Sequence, residues 1–199
     1  MFFAKMISKI LHPVFIPSVV IMIVIKDLPN TLILPNQVPF VIATSIIFTL
    51  FLPILSVLYF FLTKRIQSLE MAKKEERFLP LLTSILWMVL GFIIMKEVFT
   101  YSPIIKSIYL GAIYTLVIAM MITIRWKISL HMIGIGGAVG VFLALQLLYG
   151  ELYNTLLLSI LFSGILGYSR FKQKAHNLKQ IYSGFMLGFL VMAININYL

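Results

Sequence analysis

Three short segments of the chain bring together the side chains that phosphoryl chemistry needs. The first is Lys73-Lys74-Glu75-Glu76-Arg77-Phe78-Leu79-Pro80 and the second is Lys127-Ile128-Ser129-Leu130-His131. The third is Ser169-Arg170-Phe171-Lys172-Gln173-Lys174-Ala175-His176-Asn177-Leu178-Lys179-Gln180. If 176–184 is helical, His176 and Gln180 lie one turn apart on one face. Gln180 then hydrogen-bonds one ring nitrogen and aims the other outward, the arrangement a nucleophilic or general-base histidine requires. Lys74 and Arg77 likewise share a face at i, i+3. Guanidinium and ammonium groups around two histidines suit a phosphoryl group, because they neutralise its oxygens and stabilise its transition state.

Other chemistries find little material. There is no cysteine, which excludes disulfides, thiolate metal sites and cysteine nucleophiles. The acids are Asp27, Glu70, Glu75, Glu76, Glu97 and Glu151, too few and too scattered for a carboxylate-rich metal cage. The third histidine, His12, precedes Pro13 without a nameable partner and reads as structural. Gly134, Gly136, Gly137 and Gly140 lack the strand–turn–helix context of a dinucleotide loop and read as close helix packing, as do Gly184 and Gly188.

The elements that must position these segments follow from composition. The 199 residues are 61% apolar and 11% charged, against about 45–50% and 25% in an average soluble domain. One soluble core cannot hide that much apolar surface, so the chain is expected to be a single polytopic membrane domain over 1–199. Crossing the hydrocarbon takes about 20 apolar residues as a helix. Candidate spans are 10–25, 38–63, 78–95, 104–124, 128–149, 152–169 and 180–199, giving an all-α integral membrane bundle of six or seven helices. The first is short and carries Pro13 and Pro17, which kink it or make it re-entrant. It ends at Lys26-Asp27 without a small-residue cleavage site, and so reads as a retained segment.

Seven spans alternate the loops between two faces. The N-terminus and loops 64–77, 125–127 and 170–179 carry thirteen of the sixteen Lys/Arg, and Lys26, Lys96 and Lys106 are the rest. This bias makes the first face cytoplasmic and accounts for the formal charge of +10 without nucleic acid. Two spans separate each of the three segments from the next, so all three reach the same membrane surface.

In this order the segments resemble the type-2 phosphatidic acid phosphatase superfamily. Its pattern is a Lys-rich segment ending in Arg-Pro, then Pro-Ser-Gly-His, then Ser-Arg-x5-His-x3-Asp. Ser169-Arg170, five residues and His176 fit the third motif, with Gln180 in place of its carboxylate. Ser129-Leu130-His131 keeps the Ser and His of the second. Arg77, followed by Pro80 and preceded by Lys73 and Lys74, is a loose form of the first. The resemblance covers roughly 70–190. It implies a phosphatase-like core in which His176 is the nucleophile that becomes phosphohistidine. His131 is then the general acid, Gln180 orients His176, and Arg170, Arg77, Lys74 and Ser129 hold the phosphate oxygens. It further implies a metal-independent enzyme without cofactor, acting on a phosphate monoester or pyrophosphate of a lipid or isoprenoid drawn from membrane lipids. Family precedent puts such a site on the extracytoplasmic side, in contrast to the charge bias. The competing expectation is a non-catalytic polytopic protein: a degenerate phosphatase relative, a small transporter or a lipid-binding subunit.

Overall fold

A computed structural model describes residues 2–28, 33–71 and 73–197, and within them every regular element is a helix. Two short helices open the chain: α1 (Phe2–Ile10) and α2 (Ile16–Asp27). A helical rod over Pro35–Leu62 follows, comprising a 3-10 turn, α3 (Val38–Ile46), a π turn at Ile47–Phe51 and α4 (Leu52–Leu62). Then come α5 (Phe78–Ile94), α6 (Lys96–Tyr101), α7 (Pro103–Arg125), α8 (Leu130–Tyr149), α9 (Tyr153–Lys172) and α10 (Leu178–Asn197). Five segments are long and apolar enough to cross a membrane: Pro35–Leu62, Lys74–Ile94, Pro103–Arg125, Leu130–Tyr149 and Leu178–Asn197.

The expected first span, 10–25, is a turn followed by the short α2. α1 ends at Ile10, and residues 11–15 form turns around Pro13. The 12 residues of α2 rise only about 18 Å, short of the roughly 30 Å hydrocarbon thickness. α9 has 20 residues, but Asn154, Thr155, its serines and two basic residues dilute its hydropathy, and it is not among the five. Its outer side chains Leu157, Leu158, Ile160, Leu161 and Phe162 are nevertheless exposed and apolar.

Local chemistry sets the breaks. Pro103 opens α7, where a missing N–H costs nothing. Gly150 ends α8 with φ +78°, the left-handed cap that glycine adopts without strain. The π turn lies directly before Pro53, which has no N–H to offer Thr49 and whose ring crowds that carbonyl; widening the turn relieves both. The same turn offers Thr49 Oγ1 to Ser18 Oγ at 2.6 Å, which pins α2 to the rod. Trp87 Nε1 donates to Ser56 Oγ at 2.8 Å and ties α5 to α4.

The centre of the bundle is the parallel pair α8 and α10, the most extensive helix contact in the molecule. Their backbones meet without intervening side chains. A Cβ on Gly136 would strike the Phe185 carbonyl, one on Gly140 the Phe189 carbonyl, and one on Gly188 the Ile133 carbonyl. A Cβ on Gly184 would come within 2.7 Å of the Ser129 carbonyl. Small residues permit this approach in an apolar bundle, where helices associate by packing rather than by hydrophobic transfer. The expectation of close packing at these glycines therefore holds.

Gly188→Ala should force α8 and α10 apart and lower the thermal midpoint of the detergent-solubilised protein by several degrees. Gly164→Ala, at a position with nothing within 4 Å, should leave it unchanged or slightly raised, as helix propensity alone dictates.

Candidate functional site

The glycine seam fixes where two helices begin. α8 starts after Ser129 and α10 after Asn177, at the same end of the bundle, and the Ser129 N–H reaches the Gln180 carbonyl at 3.4 Å. Two helix N-termini, each with positive dipole character, thus stand side by side. The segment at 73–77 and the turn at 173–177 close in around them.

α10 opens with a reciprocal cap. The Gln180 N–H donates to Asn177 Oδ1 at 2.9 Å, and the Asn177 N–H donates to Gln180 Oε1 at 3.3 Å, which satisfies two otherwise unpaired donors. His176 precedes this cap and is only 5% exposed. Its Nδ1 lies 2.9 Å from the same Gln180 Oε1. That oxygen can only accept, so Nδ1 carries the proton and Nε2 is left with its lone pair. Burial pushes the His176 pKa down to about 4, against the raising effect of the Gln180 bond and with further lowering by Arg77, Arg170 and Lys127. At neutral pH the ring is therefore uncharged.

Among the described residues the cations around it form no ion pair. Arg77 is 4% exposed and donates from Nε to the Met71 carbonyl at 3.1 Å and from Nη1 to the Ile128 carbonyl at 2.9 Å. Arg170, on the last turn of α9, stands within electrostatic range of Arg77, Lys127, His12, His131 and His176. Among the described residues its buried Nε has no hydrogen-bond partner, and neither does Ser129 Oγ on a fully buried residue. Lys127 is partly buried, and its pKa is lowered by burial and then by Arg77 and Arg170. The ion pairs among the described residues, Lys26–Asp27 and Lys96–Glu97, involve none of these groups. Among the described residues the exposed Glu70 acts on Arg170 electrostatically.

His131, in the first turn of α8, points at α1. Its Nε2 lies 3.0 Å from the Ser8 carbonyl, so Nε2 carries the proton and Nδ1 is bare. Gln173 Nε2 braces the same helix through the Ala4 carbonyl at 2.8 Å and Ser8 Oγ at 2.7 Å. The His12 ring meets His131 edge-on, with centroids 5.1 Å apart.

Six of the seven expected site residues thus occupy this end together: His176, Gln180, Arg170, Arg77, Ser129 and His131. The seventh, Lys74, gives its ammonium to the last carbonyls of α7, Ile124 at 2.9 Å and Arg125 at 3.2 Å, and does not join the groups around His176. Residues 74–77 form a 3-10 turn, in which side chains three apart still share a face; Lys74 leaves the group because its long side chain reaches the free carbonyls at the end of α7. Two residues enter that sequence reasoning left aside. Lys127 had a signal, as the first residue of the second segment; His12 had none, because its contact is with a residue 119 positions away.

A cleft of about 370 Å³ runs inward from this end. Arg77 and His12 line it at the polar side and almost all its other walls are apolar. Among the described residues no group of three His, Asp or Glu is placed to hold a metal ion. No protein-family model matches the chain, and no curated protein and no solved structure matches it.

Asn177→Ala should remove one half of the α10 cap and cost about 1 kcal/mol. Hydrogen exchange of the amides at 179–181 should accelerate, while exchange at the middle of α10 stays as in the parent protein.

Proposed function

We propose that the chain is a membrane-embedded phosphatase that hydrolyses a phosphate monoester or pyrophosphate of an amphiphilic substrate through a phosphohistidine. The observation that carries the reading is the neutral His176, held by Gln180 with Nε2 bare, beside Arg77, Arg170 and Lys127, which form no ion pair among the described residues. A dense cation group is costly unless an anion joins it. The unpartnered Arg170 Nε and Ser129 Oγ are donors that phosphate oxygens would satisfy.

In this mechanism the phosphate lies against Arg170, Arg77, Lys127 and Ser129. Nε2 of His176 attacks phosphorus in line as the bond to the leaving oxygen breaks, and the cations stabilise the charge on the equatorial oxygens. His131, with Nε2 on Ser8, takes onto its bare Nδ1 the proton that the phosphate monoanion brings and passes it to the leaving oxygen. The bare Nδ1 then takes a proton from the attacking water, whose oxygen displaces His176 and releases phosphate. Gln180 orients His176 without neutralising the imidazolium-like charge, and the amide oxygen that does so is also part of the helix cap. Similarity to the type-2 phosphatidic acid phosphatase motifs supports the same assignment of roles.

We place α9 as a further crossing helix, with its exposed Leu and Ile side chains toward lipid, and the basic end of the bundle on the cytoplasmic side. The second reading, a non-catalytic anionic-lipid binder, draws on one observation. Gln180 has a capping role and Arg77 bonds two carbonyls, so both have structural work that needs no reaction.

Reconstituted protein should release phosphate from a lipid phosphate and be inhibited by vanadate. His176→Ala and His131→Ala should abolish release, by at least about a thousandfold for the nucleophile, with insertion and yield unchanged. Full turnover by His176→Ala would overturn the phosphohistidine mechanism, and no release from any lipid phosphate by the parent protein would leave the lipid-binding reading standing. In the parent protein kcat should hold through pH 5 and fall as pH nears 4, because protonating Nε2 removes the attacking lone pair. Gln180→Glu, which favours the imidazolium, should move that acid limb to higher pH. Because the chain lacks cysteine, sidedness is readable directly: Lys174→Cys should react with an impermeant maleimide from the cytoplasmic side and Lys106→Cys from the other.

A further inference from the structure

The cleft that starts at Arg77 and His12 has a shape and a polarity that specify its occupant. It passes between α2, α4, α5, α7 and α8 and ends among Met88, Ile108, Val141 and Met192 near the middle of the bundle. Ile54 and Leu58 line its rim on α4 and are themselves exposed, so it opens sideways to the lipid. At the polar end Arg77 commits Nε and Nη1 to carbonyls, while its second terminal nitrogen, Nη2, makes no hydrogen bond among the described residues. A cation beside a long apolar slot suits an anionic amphiphile with its head at the arginine and its chain inside.

The volume decides how many chains fit. A methylene displaces roughly the volume of one water, about 30 Å³, so 370 Å³ accommodates about a dozen methylenes. Two sixteen-carbon chains would need on the order of 900 Å³ by the same measure. We propose that the cleft holds the chain of a single-chain lipid phosphate, a monoalkyl, monoacyl or short isoprenyl phosphate, and disfavours two-chain phospholipids. This rests on the proposed phosphatase for its head-group chemistry, whereas the fit of the chain stands on the cleft alone.

The test separates binding from turnover. The full chain in nanodiscs is titrated with dodecylphosphonate, which cannot be hydrolysed, and with the phosphonate analogue of dipalmitoyl phosphatidic acid. The single-chain ligand should bind at least about tenfold more tightly. Ala112→Phe, which fills the cleft away from the cations, should weaken dodecylphosphonate by about tenfold and leave vanadate binding unchanged. A dodecylphosphonate with a terminal diazirine needs no variant: it should label 108–116, 137–141 or Met192. Equal affinity for the two phosphonates, or label confined to lipid-facing side chains of α9, overturns the proposal. Tight single-chain binding with cleft labelling but no phosphate release from any substrate sustains it and removes the phosphatase reading. Phosphate release at equal kcat/KM from one- and two-chain substrates, with equal phosphonate binding, does the reverse.

Discussion

Backbone-to-backbone contact between α8 and α10 is the constraint on which the rest of the molecule depends. Ser129 meets Gly184, Ile133 meets Gly188, and Gly137 meets Met192, each pair four residues beyond the last. That step keeps the two helices parallel and in register, so both begin at one level. Because α9 runs back between them in the chain, the turn at 173–177 is delivered to the start of α8. The seam, formed by residues with no chemistry of their own, therefore decides that Ser129, His131, His176 and Gln180 share one end.

Electrostatics at that end oppose folding unless something answers them. Arg77 is almost wholly buried and Arg170 lies nearby, yet neither forms an ion pair among the described residues. Backbone carbonyls of Met71 and Ile128 supply Arg77 with acceptors, which offsets desolvation without neutralising charge. The two helix N-termini add to the same positive field. Burial first, and the field after it, keep His176 neutral, so in the phosphatase reading one arrangement attracts an anion and preserves a lone pair.

Periodic spacing carried more of this than composition did. A separation of four placed His176 on Gln180 because residue 177 starts a regular α-helix. The parity of apolar segments put the three motifs at one end even though the first apolar segment is a turn and a short helix and not a span. Lys74 escaped the same reasoning because the carbonyls that hold its ammonium lie 50 and 51 positions away, at the end of α7. His12 escaped it because nothing local distinguishes a histidine that will meet His131 from one that will not. The cleft was equally hidden: its walls come from six helices, and no single segment records a void between helices.

The doubled use of one amide oxygen has an evolutionary consequence. Gln180 Oε1 accepts both from the ring of His176 and from the first amide of the α10 cap. A side chain without an acceptor at that reach would give up the bond at the helix start together with the histidine's orientation. One substitution would therefore remove both, and the two cannot be lost separately at this position.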